Sequence, residues 1–206
     1  GLTSMLVAGI FMVRQGDYKR MLAYSSIENM GIIAFGVGIG GIAIYGAILH
    51  MIHHSLIKSS LFLSAGNIML GFKTKLVGRI GNLVKFLPKT FVSFFAGFVG
   101  ISGLPPFGLF VSELIILIGA IKSGHPVCAA IFIFCLILVV AGAAQIVTDM
   151  SFTKNIAEIH GVERFLRVLP PYVLLGASIL LTVWIPDEIY RTILNTIKII
   201  GGTIHG

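Results

Sequence analysis

The sequence predicts an all-α, polytopic transmembrane helical bundle of about six spans, one of them discontinuous. Three observations lead there. Hydrophobic residues make up 56% of the 206 positions and charged residues 11%, against ~25% charged in soluble domains, and the mean hydropathy is +1.00. The apolar residues fall in long runs rather than short alternating ones. Basic residues collect in alternate loops, as they do where loops face the cytoplasm.

The runs follow in order. Residues 2–13 fall short of the ~20 a span needs, as if truncated. The chain opens inside an apolar segment without an initiator Met, and it is expected to be part of a longer polypeptide. Residues 21–42 and 44–70 are full spans. Residues 88–121 are too many for one straight span and are broken by Gly103-Leu104-Pro105-Pro106-Phe107-Gly108. Proline lacks the amide N–H and restricts the residue before it, so a short non-helical segment is expected there. Residues 126–147 and 168–185 complete the set, and a weakly amphipathic tail covers 187–200.

Loop charge sets the orientation. Arg14, Lys19 and Arg20, then Lys73, Lys75, Arg79, Lys85 and Lys89, then Lys154, Arg164 and Arg167 share one side. Lys122, Arg191 and Lys198 lie on the other, so the first side is predicted cytoplasmic. This pattern holds only if residues 88–121 cross once. The net charge of +7 is accounted for by these loops and gives no reason to invoke nucleic acid. Cys128 and Cys135 match no metal-binding spacing and read as packing residues. Glycines at 36, 38, 40 and 41 fit close helix packing and a turn.

Against this apolar background the ionisable residues stand out. His50, His54 and Lys58 recur at i, i+4 and i+8 and so share one helix face, with His53 beside them. Lys58 sits about halfway along its run, where a bare ammonium costs at least ~3 kcal/mol. Its position argues against snorkelling, and a lone ion pair leaves the histidines unexplained. A Lys/His column suits proton transfer, because imidazole exchanges protons near neutral pH. Zinc held by His50 and His54 is the other reading, but no adjacent Glu or Cys completes a site. Glu113 falls within two turns after the break, where free amides and the helix dipole favour a carboxylate. Glu28, flanked by Tyr24, Ser25, Ser26 and Asn29, is either satisfied locally or lines a cytoplasmic half-channel. An internal polar site is expected between the third and fourth runs. The chain carries no Ser-His-Asp set, Cys cluster, nucleotide loop or flavin motif, so redox chemistry is not expected in it.

Residues 17–31, Asp17-Tyr18-Lys19-Arg20-Met21-Leu22-Ala23-Tyr24-Ser25-Ser26-Ile27-Glu28-Asn29-Met30-Gly31, resemble the D-x-K-R-x-x-A-Y-S-S segment of the antiporter-like membrane subunits. These subunits are shared by complex I, Mrp-type sodium/proton antiporters and group 4 membrane-bound NiFe hydrogenases. Residues 50–66, the Ser102-Gly103-Leu104-Pro105-Pro106 break and residues 110–114 are similar to the same family. The S-S-I-E and S-G-L-P-P-F-G-L-F variants look most like the hydrogenase-4 component F type. The resemblance covers about residues 5–150.

It implies the C-terminal part of a proton-translocating subunit built from two inverted five-helix repeats. Residues 1–150 would be the second repeat, its first helix incomplete; residues 151–206 would be a cytoplasmic loop, the last transmembrane helix and a non-cytoplasmic tail. Lys58 would be a central-axis lysine, His54 and His50 its neighbours, and Glu113 the titratable residue of the broken helix, where many relatives carry Lys. The resemblance also implies a multi-pass protein of a prokaryotic cytoplasmic membrane, working with other membrane subunits and a peripheral redox arm. No cofactor is expected in this chain; a NiFe centre and iron–sulfur clusters are expected in partner subunits. The alternatives are a sodium/proton antiporter subunit without redox partners, whose only obvious oxygen ligands are Glu28, Asn29 and Ser25, and a structural membrane scaffold.

Overall fold

Asp17 starts the second helix by turning its carboxylate back on the chain. Its Oδ1 accepts from the amides of Lys19 (2.9 Å) and Arg20 (3.3 Å), satisfying two of the four donors that a helix start leaves free. The computed structural model describes residues 1–13, 15–153 and 159–199. Arg14, Lys154 and the last residue of the predicted tail, Ile200, lie outside the described residues. Among the described residues the helices are α1 (Leu2–Met12), α2 (Tyr18–Ile39), α3 (Ile42–Phe72), α4 (Leu83–Phe86), α5 (Pro88–Ile101), α6 (Gly108–Lys122), α7 (Pro126–Phe152), α8 (Phe165–Val183) and α9 (Asp187–Ile199). The only strand-like pairing among them is one isolated bridge, Asp17 with Leu76.

Four helices, α2, α3, α7 and α8, are each long and apolar enough to cross a bilayer. The pair α5 and α6 runs antiparallel to α3 along its whole length. Gly71 faces Leu87, Gly97 faces Leu61, Gly100 faces Ile57, Gly108 faces His53, Gly46 faces Ile116 and Gly119 faces Ala43. The two short helices therefore make one crossing in two pieces, as the charge pattern required. Each of those glycines brings side chain or backbone within contact range of where a Cβ would stand, which is how membrane helices gain close packing without a hydrophobic drive. Gly36 does the same for α2 against Ala43 and Ala47 of α3. Gly40 and Gly41 supply the positive φ values, 83° and 54°, of the α2–α3 turn.

Basic loops gather at one end. The segment between α3 and α5 passes beneath α1 and α2: Val77 N–H donates to Gly16 O (2.9 Å), Tyr18 N–H to Lys75 O (3.3 Å), and Lys75 pairs with Asp17 at 3.2 Å. Glu163, just before α8, accepts from the N–H groups of Thr90 (2.6 Å) and Lys89 (3.3 Å) and so caps α5 from a distant point in the chain. At the opposite end α9 lays Ile193 and Ile197 on Ile44 and Ile48 of α3. Its Asp187 and Glu188 complement the helix dipole. A cysteine placed at Gly78 should react with a membrane-impermeant maleimide in inverted vesicles and stay unlabelled in intact cells. The reverse pattern would invert the topology and with it the direction of the histidine column.

Candidate functional site

The register of α2 on α3 is set at the basic end. Tyr18 is fully buried, and its hydroxyl donates to Ala65 O of α3 at 3.2 Å. One and two turns further along α2, this alignment brings Leu22 and Ser25 opposite Lys58, close to the middle of the 31-residue α3. Lys58 is 6% exposed, so it does not face lipid. Its Nζ donates to Leu22 O and Ser25 Oγ and lies 5.6 Å from the centre of the Phe62 ring. The lysine's partners thus come from α2. The polar site expected between the third and fourth runs is centred instead between the second and third, because the Tyr18 tie and the Gly36 contact press α2 onto the lysine face.

From Lys58 the polar atoms continue along α2. Asn29 Nδ2 donates to Ser25 O (2.7 Å) and to Glu28 Oε2. Glu28 is 2% exposed, and it and Lys58 interact electrostatically. With both its N–H donors used, Asn29 turns Oδ1 to His50 Nε2, 3.0 Å away on α3. His50 Nδ1 lies 2.9 Å from Ser112 Oγ on α6, and the Ser112 hydroxyl is also 2.8 Å from Leu109 O. Glu28 is therefore tied into the centre of the network by its neighbour; of the two sequence readings, local satisfaction describes its bonding.

The His50 and His54 rings lie nearly parallel, 7° apart with centres separated by 6.4 Å, as i,i+4 spacing predicts. His54 Nε2 is buried without a hydrogen-bond partner. His53 leaves the column. About 100° round the helix, its Nδ1 meets Ser178 Oγ of α8 at 3.0 Å, while the other edge of the ring lies against Gly108 at the start of α6.

The break has the expected form. Helix α5 ends at Ile101 and α6 restarts at Gly108. Ser102, Gly103 and Leu104 close the first helix by donating to Phe98, Gly100 and Val99 carbonyls at 3.0 to 3.2 Å. Gly103 adopts φ 62°, and the Glu113 carboxyl group occupies the place where a side chain on Gly103 would stand. Glu113 is 8% exposed and points inward, onto the break. A small cavity of about 10 Å³, lined by Leu22, Ser25, Ile101 and Ser102 among others, separates the Lys58 partners from the break. That is about the space of one water.

Among the described residues no three His, Cys, Asp or Glu side chains converge in a metal-binding arrangement. His50 uses both ring nitrogens on Asn29 and Ser112, which removes the zinc reading for His50 and His54. Sequence reasoning passed over Ser112 and Ser178, small hydroxyls in apolar runs. The one signal for Ser112 was its place beside Glu113.

A family model described as "NADH:quinone oxidoreductase/Mrp antiporter, TM" matches residues 1–139. The chain is 37% identical over 153 residues to a hydrogenase-4 component F homolog of Methylacidiphilum infernorum, covering 74% of this chain and 32% of that protein. It is 36% identical over 118 residues to F(420)H(2) dehydrogenase subunit M of Methanosarcina mazei, covering 57% and 24%. The chain spans about a third or less of the length of these relatives. In three dimensions it is similar to a chain of respiratory complex I from Thermus thermophilus, with a TM-score of 0.83 at 23% identity, over 97% of this chain and 42% of that one. That likeness speaks for the fold.

Proposed function

Because this chain belongs to the NADH:quinone oxidoreductase/Mrp antiporter transmembrane family, we propose that it translocates protons through the buried Lys58, Glu28, His50 and Glu113 groups, driven by redox chemistry in partner subunits. One observation carries the reading. Four ionisable side chains from three helices are buried in an apolar bundle; Ser25 and Asn29 link Lys58, Glu28 and His50 in one polar chain that reaches Ser112, the neighbour of Glu113 in sequence. Buried intramembrane charges are expensive and mark ion pathways by default.

Lys58 is the group to be loaded and unloaded. Its ammonium is stabilised by the Leu22 carbonyl, the Ser25 hydroxyl and the nearby Glu28. Moving a counter-charge in a low-dielectric interior changes its proton affinity steeply. His54 stands next along α3, between Lys58 and His50, with an unpartnered nitrogen free to take or give a proton. Glu113, resting on the Gly103 backbone, would exchange with the non-cytoplasmic side. His53 couples this region to α8. Residues 1–150 would form the second five-helix repeat of a longer subunit, in a prokaryotic cytoplasmic membrane. The likeness to hydrogenase-4 component F favours a membrane-bound hydrogenase, with the NiFe centre and iron–sulfur clusters in its partners.

A sodium site would need the oxygens of Ser25, Asn29 and Glu28. Lys58 holds the Ser25 hydroxyl, and Asn29 Oδ1 holds His50, so protons are favoured as the coupling ion. The test is vesicles of the intact complex supplied with hydrogen and an acceptor, with internal pH followed by a dye. Proton uptake should proceed without sodium and collapse with a protonophore. Sodium-dependent proton exchange in vesicles that hold only the antiporter-like proteins, with no redox partner, would make the antiporter reading correct.

A further inference from the structure

The hydrogen-bond directions around His50 are over-determined, and they give Ser112 a job. Asn29 Nδ2 donates to Ser25 O and Glu28 Oε2, which leaves only the acceptor Oδ1 for His50. An amide oxygen cannot donate, so His50 Nε2 must carry a hydrogen in every protonation state. The proton that His50 gains or loses is then the one on Nδ1, and Nδ1 faces Ser112 Oγ at 2.9 Å.

A serine hydroxyl has one hydrogen and can accept as well as donate. When His50 is neutral, Nδ1 is an acceptor and Ser112 must donate to it. When His50 is an imidazolium, Nδ1–H donates, and the serine hydrogen must go elsewhere. Leu109 O stands 2.8 Å from the same oxygen and is ready to receive it. Both states are fully hydrogen-bonded, and they differ by one rotation of a hydroxyl about its C–O bond. His50 and Ser112 are both fully buried, so no bulk water is at hand to make up an unmatched bond.

We propose that Ser112 is a hydroxyl rotor that lets His50 change protonation state at Nδ1, on its α6 side, without moving its ring. Ser112 is a positioning residue: it acts through His50 and carries no net charge. The inference rests on the proton-translocation reading above.

Ser112→Ala removes the donor that neutral His50 needs and leaves Nδ1 bare in an apolar site. In the intact complex, redox-driven proton uptake should slow roughly tenfold, the scale of losing one buried hydrogen bond from the transfer step. Ser112→Thr keeps the hydroxyl and should restore most of the rate. A second measurement is independent of turnover. With ¹⁵N-labelled histidine and the His50 signals assigned by difference against His50→Gln, neutral His50 should be protonated on Nε2. Ser112→Ala should shift the bare Nδ1 resonance downfield, toward that of an imine nitrogen without a donor.

Normal pumping by Ser112→Ala, in a complex that Lys58→Ala stops, overturns the rotor and leaves the proton reading standing. An Nδ1–H tautomer in the native complex also overturns it. If neither Ser112→Ala nor Lys58→Ala affects pumping, the proton reading itself fails and the rotor with it.

Discussion

Lys58→Ala should lower redox-driven proton movement by on the order of a hundredfold or more, the scale that a placed proton-transfer group contributes, while the complex still assembles. Assembly should survive because the substitution orphans little. Leu22 O also accepts from the hydroxyls of Ser25 (3.1 Å) and Ser26 (3.3 Å), so removing the ammonium leaves that carbonyl satisfied. The lost volume lies beside an existing small cavity and can admit water. Lys58→Arg should recover only part of the activity. A guanidinium keeps the charge facing Glu28 but does not release its proton under physiological conditions. The measurement is dye-detected proton uptake per electron transferred, with subunit content checked on the same vesicles. Full pumping by an assembled Lys58→Ala complex would remove the lysine from the pathway.

The second large effect is expected at Glu113. Glu113→Gln preserves size but removes proton exchange, so pumping should fall far more than subunit content. Glu113→Asp should be milder, and Glu113→Lys could retain function, because a lysine also carries a proton. Gly103→Ala provides a separate check on position. A Cβ there would occupy the space of the Glu113 carboxyl, and φ of 62° disfavours any side chain by roughly 1–2 kcal/mol. It should therefore impair pumping with Glu113 intact. Native rates in Glu113→Gln would make this carboxyl structural; native rates in Gly103→Ala alone would show that the break does not hold it in place.

Much of this site was legible because a membrane makes each polar residue costly. Lys58 and the histidines stood out against an apolar run, and the double proline marked the break in the fourth crossing. Helical spacing fixed the His50–His54 stack. Choice of neighbour was not legible. A helix face in lipid is equally apolar toward any partner, and here Tyr18, Gly36 and Ala65 decide that α2 rather than α5 meets Lys58. For the same reason the sequence grouped His53 with its neighbours, whereas one helical step turns it to Ser178. Asp17 was read only as part of a motif. Its cap on α2 and its ion pair with Lys75 give that motif a physical purpose, since both fix where α2 begins relative to α3.

The long helix α3 is fastened to α8 at three heights. His53 bonds Ser178, Ser60 donates to Pro171 O at 2.9 Å, and Asn67 donates to Arg167 O at 3.0 Å. Bonds of this kind are worth about 0.6 to 1.7 kcal/mol each between membrane helices, and sliding α8 along α3 would break all three at once. The two helices are therefore held in register, and α3 forms a post bearing Lys58 and the histidines. Against that post lie α5 and α6, joined at an elbow at Gly103 that touches Glu113, with the start of α5 anchored by Glu163. Close glycine contacts and the His50–Ser112 bond clamp both arms to the post, so the elbow acts as a spacer that fixes how far Glu113 stands from the histidine column.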